Sequence, residues 1–178
     1  MPTTAKSKAK NTAERKARRG KSSQTQTKTK GVSAVQLLEQ DHREVEEYFD
    51  SFDEAKNDRA KEELAQKICM ALTVHAQIEE EIFYPAARRA TGDNDLLDEA
   101  VVEHASAKKL IAEIEEMEVG EELFDAKVRV LGEQIKHHVR EEEEELFPEL
   151  DRTDLDLEAL GAKMAARKEE LMDELQDA

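Results

Sequence analysis

From Val32 onward, apolar residues return at alternating steps of three and four, the period of an α-helix. Val35, Leu38, His42, Val45, Phe49 and Phe52 form a first stripe, with Ser33 as a candidate N-cap behind Gly31. Leu64, Ile68, Ala71, His75, Ile78 and Ile82 form a second, which Asn57 or Asp58 begins and Pro85 kinks or closes. After Thr91-Gly92-Asp93-Asn94, a third runs Leu97, Val101, His104, Ala107, Ile111 and Ile114. Gly120 separates it from a fourth, Phe124, Val128, Leu131, Ile135, His138, Glu142 and Leu146, which ends near Pro148. Leu157, Leu160, Met164, Leu171 and Leu175 predict a fifth helix. Short connections imply antiparallel neighbours. The expected fold is all-α: an up-down antiparallel four-helix bundle with an accessory C-terminal helix at 151–178.

The first 31 residues break this pattern. They contain no Val, Leu, Ile, Phe, Tyr or Trp, and through Lys30 they carry ten Lys or Arg against one acid, Glu14. Such a segment buries too little apolar surface to offset its ordering entropy, so residues 1–31 are expected to be a disordered basic tail. No apolar stretch follows the charges, which argues against a secretory signal. The tail offers phosphate contact to nucleic acid without sequence specificity, or a solvated arm that folds back on the acidic body.

Composition agrees with a helical body. The chain has 178 residues, a net charge of −16, six Gly, three Pro and no Trp. No run approaches the ~18 apolar residues of a membrane span. One Cys excludes an intramolecular disulfide and fits a reducing compartment, so a cytoplasmic monomer is expected.

The histidines carry the chemistry. Four of five, His42, His75, His104 and His138, lie on core-facing stripes, one per predicted helix. A single core histidine is satisfied by a backbone carbonyl. Four in a dry core would need four separate arrangements, each failure costing ~1–3 kcal/mol. One metal centre satisfies them together.

Glu79 follows His75 by four residues and Glu142 follows His138 by four, which puts each pair on one helical face. Both glutamates also belong to charge runs, but the two segments are copies. Counted back from Pro85 and Pro148, each histidine sits ten residues before and each glutamate six before. The acid-histidine pairs Asp41-His42 and Glu103-His104 repeat upstream. Two such helix-pair repeats, related by a pseudo-twofold axis, build a site for two ions at 32–150.

The order His, His-x-x-x-Glu, His, His-x-x-x-Glu, with its Asp-His, Phe-Tyr-Pro and Phe-Pro flanks, resembles the hemerythrin-like (HHE cation-binding) domain over about residues 33–150. The resemblance implies a non-haem di-iron centre of two Fe ions with an oxo or hydroxo bridge. His42, His75, His104 and His138 would be terminal ligands, and Glu79 and Glu142 bridging ones. Oxygen-carrying members have a further histidine one turn after the third; here that position is Lys108. This departure turns the expectation from O2 carriage toward peroxide, in a catalase-like or scavenging reaction. A non-catalytic iron, O2 or nitric-oxide sensor is the alternative.

Mixed imidazole and carboxylate donors independently suit Fe, Mn or Zn. Six such residues together with a bridging oxo or hydroxo group leave about one open position on each of two six-coordinate ions. The neighbouring candidates have plainer readings. His137 is rotated about 100° from His138. Glu46 is an extra ligand or a surface residue, and Lys108 pairs with a glutamate or extends outward. Cys69 is a small core residue, and Tyr48 and Tyr84 are expected to pack, with a place lining the pocket or limiting radical damage as the alternative. Asp41 and Glu103 are candidates to orient ligands on other helices.

Overall fold

The protein is described here from a computed structural model of residues 31–92 and 94–176. The expected tail, apart from Gly31, lies outside the described residues. All regular structure among the described residues is helical. The helices are α1 (Ala34–Glu54), α2 (Asp58–Ile78), α3 (Tyr84–Thr91), α4 (Asp95–Glu115), α5 (Phe124–Glu141), α6 (Phe147–Leu150) and α7 (Leu157–Gln176). Two π-helical turns, Glu79–Phe83 and Glu142–Leu146, join α2 to α3 and α5 to α6 into continuous runs.

The starts follow local chemistry. Ser33 accepts from the Gln36 amide while the Gln36 side chain accepts from the Ser33 amide, a reciprocal cap that fixes where α1 begins. Asn57 caps α2 by accepting from the Ala60 amide. Pro85 does not close its helix. The π turn resets the hydrogen-bond ladder just ahead of the proline, and the run continues until Gly92, whose φ of 72° ends it. Pro148 stands in the same register after the second π turn.

Side-chain packing links α1 to α2, α2 to α4, α4 to α5 and α5 back to α1. Two apolar clusters result. One gathers Leu38, Ile78, Phe83, Leu97, Phe147 and Leu150; the other gathers Val45, Phe52, Ile68, Ile111, Phe124 and Leu131. Along the α1, α4 and α5 runs, His42, His104, His138 and Glu142 fall between the residues of one cluster and those of the other, and His75 and Glu79 lie where the α2 run passes from the second cluster into the first. A polar layer therefore crosses an otherwise dry interior.

α7 lies against α1 and α2, with Leu160, Met164 and Leu171 buried in the first cluster. Gly161 makes this approach possible. A Cβ there would stand 2.4 Å from the Val32 carbonyl oxygen and 2.7 Å from the Ala34 nitrogen. Both obstacles are backbone, so they cannot swing aside. Gly161→Ala is expected to lower stability by roughly 1–3 kcal/mol, the usual range for overpacking. A urea midpoint equal to that of the unsubstituted protein would show that α7 is not seated on the start of α1.

Candidate metal centre

His42, His75, His104, His138, Glu79 and Glu142 are all buried and converge in the polar layer. Glu79 Oε2 lies 3.3 Å from His75 Nε2 and 3.3 Å from His104 Nε2. Glu142 Oε2 lies 3.3 Å from His42 Nε2 and 3.6 Å from His138 Nε2. Each carboxylate thus faces one histidine from each helix pair. Two groups with ligand atoms within 4.8 Å of one another result: His42, His75, Glu79 and Glu142, and Glu79, His104 and His138. Glu79 belongs to both.

The outer nitrogens of the imidazoles are also organised. His42 Nδ1 donates to Glu143 at 2.9 Å, His75 Nδ1 faces Asp41 at 3.4 Å, His104 Nδ1 donates to Glu80 at 3.0 Å, and His138 Nδ1 donates to Glu103 at 2.8 Å. A carboxylate can only accept, which assigns the proton to Nδ1 and leaves an Nε2 lone pair pointing inward. The pattern closes around the interior. Each carboxylate is the chain neighbour of one inward-facing residue and holds the histidine of the next helical run. Asp41 and Glu103 act as the sequence suggested. Glu80 and Glu143 are their counterparts after the two glutamates.

A cation fits this arrangement. With Nδ1 protonated, His104 and His138 aim two lone pairs at each other across 3.1 Å. His42 Nε2, His75 Nε2, Glu79 Oε1 and Glu142 Oε2 are buried without any hydrogen-bond partner. The 3.3 Å approaches of these nitrogens to carboxylate oxygens are therefore close contacts without hydrogen-bond geometry. Four orphaned donor atoms and a pair of opposed lone pairs, all in one layer, are costly in a dry core. A shared positive ion or shared protons remove the cost.

Tyr84 joins them, taking the pocket-lining alternative and not the packing default. Its hydroxyl donates to Glu142 Oε1 at 2.9 Å and lies 3.3 Å from His104 Nε2 and 3.4 Å from His138 Nε2. The π turn explains the position: the Tyr84 amide bonds the Glu79 carbonyl, five residues back, so the ring stands above Glu79. Phe147 occupies the matching place in the second half and stacks on His42 with ring centroids 6.0 Å apart. At this position the two halves differ by one phenolic oxygen.

The other candidates stay outside. Glu46 is exposed and pairs with Arg43, so it offers nothing to the interior. Lys108 points outward and donates to both Glu80 oxygens, at 2.7 and 2.6 Å. His137 is half-exposed beside Glu141 and Glu103. Its Nδ1 accepts from Arg140, which assigns the proton to Nε2 and leaves no lone pair for an ion there. Cys69 is buried, and burial pushes its thiol up to about 12. Tyr48 donates to Glu44.

Without a metal, protons take the vacant role. Burial disfavours a charged His75, but the Glu79 carboxylate and the Asp41 hydrogen bond outweigh it and push its pKa up to about 10. Burial likewise opposes charge on Glu79, yet His75 and His104 hold it well below the usual carboxylate range. A raised histidine stabilises the fold fully below its unfolded pKa, near 6.5, and loses that contribution as pH rises toward 10. The urea midpoint of the metal-free protein is therefore expected to fall between pH 6.5 and 10. The metal-loaded protein has no proton to lose there and should hold its midpoint. Parallel curves for the two forms would contradict this coupling.

Residues 33–150 match the family described as the Hemerythrin HHE cation binding domain. The chain belongs to this family. The match takes in both His-x-x-x-Glu segments and ends before α7. A crystal structure of a hemerythrin HHE cation binding domain-containing protein from Mycobacterium kansasii is similar at a TM-score of 0.67 and 28% identity, covering 79% of this chain and 87% of that one. A protein named DNA nickase from a Nostoc species is 31% identical over 111 residues. That alignment takes in 62% of this chain and 31% of the nickase, so most of the relative's length has no counterpart here. No helix among the described residues is long and apolar enough to cross a membrane.

Proposed function

We propose that this is a non-haem di-iron protein, built as an up-down four-helix bundle of two helix-pair repeats, whose centre reacts with peroxide. His42, His75, Glu79 and Glu142 would hold one iron, and Glu79, Glu142, His104 and His138 the other. The Tyr84 hydroxyl is a further oxygen donor on the His104 and His138 side. Two adjacent irons supply the two-electron redox step that peroxide disproportionation needs.

The observation that carries this reading is a cavity of about 160 Å³ lined by all four histidines. Its remaining wall is largely apolar, with Val45, Leu72, Ala107, Ile111 and Ile135 among the lining residues. A space of this size, with apolar walls and Asp41, Lys67, Lys108 and Lys168 along them, admits a small molecule such as peroxide and leaves no room for a bulky one. The chain's own part is to hold the histidines by their outer nitrogens and to keep bulk water away. At Tyr84 Oη, burial and the Glu142 and Glu79 charges hold the phenol proton well above the usual range in the metal-free protein.

Iron-loaded protein should evolve O2 from hydrogen peroxide steadily, and His104→Ala should abolish it. A single stoichiometric burst, with no turnover, would favour the sensing or binding alternative with O2 or nitric oxide as ligand.

Nucleic-acid contact is a separable proposal. It is supported by the ten cations of the first 30 residues and by the name of the Nostoc relative. Removing residues 2–30 should abolish salt-sensitive DNA retention and leave the metal content intact. Retention that persists would rule out the tail as the tether.

A further inference from the structure

Each carboxylate that holds an imidazole faces a cation or a second histidine. Glu143 meets Arg43, Glu80 meets Lys108, and Glu103 lies beside His137. These three partners come from α1, α4 and α5, within the ring of helices. The fourth does not. Asp41, which faces His75, is held by Lys168 of α7, a helix beyond the residues that the family match covers.

Lys168 is not the sole anchor of its helix. Leu160, Met164 and Leu171 bury α7 in the first apolar cluster, and Arg167 ties it to Glu81, which takes no part in the centre. Yet Lys168 and Met172 line the same cavity as the four histidines. One turn of α7 therefore contributes both a wall of the access space and the cation behind one inward-facing imidazole.

We propose that Lys168 is a positioning residue, through which α7 fixes the Asp41 carboxylate and with it the His75 imidazole. The proposal rests on His75 being a metal ligand. With Lys168 in place, Asp41 Oδ1 is occupied, and Oδ2 is left to face Nδ1 of His75. Without it, the carboxylate is free to turn, and the ring loses the constraint that aims its Nε2 inward. The metal position that includes His75 depends on α7, while the one that includes His104 and His138 does not.

The test titrates metal-free full-length protein with Co(II), whose visible bands report ligand geometry. The expected result for Lys168→Met is a loss of affinity of about 10–100-fold at one of two sites, the range for losing an outer hydrogen-bond partner of a ligand. The bands of that site should shift, and those of the other should stay. Lys168→Arg should restore the affinity in part. Arg167→Gln, which loosens α7 without touching Asp41, should leave both sites unchanged even if the thermal midpoint falls. Asp41→Asn should give the same one-site loss, and combining it with Lys168→Met should add little, because the two act in series. If Lys168→Met loses its helical signal, Lys168→Gln carries the same comparison. Two unaltered Co(II) sites in these Lys168 variants overturn the proposal and leave the metal centre standing. Failure of the unsubstituted protein to bind Co(II) overturns the centre itself, and the proposal with it.

Discussion

Glu79→Ala is expected to fold with its helical content intact yet to bind iron roughly 100-fold or more weakly, beyond the 10–100-fold cost typical of losing an outer partner. The reason is position. Glu79 is the residue common to both donor groups, and one of its oxygens lies 3.3 Å from an imidazole nitrogen in each helix pair. Its loss removes a negative charge from both ion positions at once, where a histidine variant removes one neutral donor from one position. Purified Glu79→Ala should therefore carry less than one iron per chain, measured by elemental analysis, whereas Glu80→Ala should retain iron with moderately weaker affinity. Equal iron in Glu79→Ala and the unsubstituted protein would mean that this carboxylate is not shared by two ions.

Stripping the metal is expected to lower the thermal midpoint by about 8–16 °C. A ligand present at about 1,000 times its dissociation constant stabilises the native state by ~4 kcal/mol, and each kcal/mol moves the midpoint of a chain this size by about 2–4 °C. Protons repair part of the damage by bridging imidazoles and carboxylates, but the buried donors remain constrained to face one another. Chelator treatment under reducing conditions, followed by calorimetry, reads the shift. An unchanged midpoint would be the behaviour of a metal-free helical scaffold.

The six inward-facing residues were legible because an α-helix places i and i+4 on one face, and because the chain presents the pattern twice. The caps at Ser33 and Asn57 were legible for a similar reason: a short polar side chain stands just ahead of an apolar stripe. Tyr84 was not. At about 100° per residue, a position five beyond Glu79 sits roughly 140° around an α-helix, off the face that matters. The π turn removes that offset, and its one trace in the sequence is a proline six residues beyond each glutamate. Glu80 and Glu143 were hidden for another reason. In a run of acids, the residue that holds a neighbouring histidine looks like those that face water, and only its place directly after a repeated glutamate marks it. The seat of α7 was beyond a periodicity argument, since an amphipathic stripe does not say which surface it covers. Gly161 was the available hint, a small residue where two backbones meet.

The iron content and visible absorption spectrum of the purified full chain decide whether these residues hold a di-iron centre. The expected result is about two irons per chain, in keeping with two mixed nitrogen and oxygen donor groups, and the charge-transfer bands of a bridged ferric pair. No iron, or a single zinc in a colourless solution, would contradict it and leave these histidines serving a scaffold or a simple metal binder.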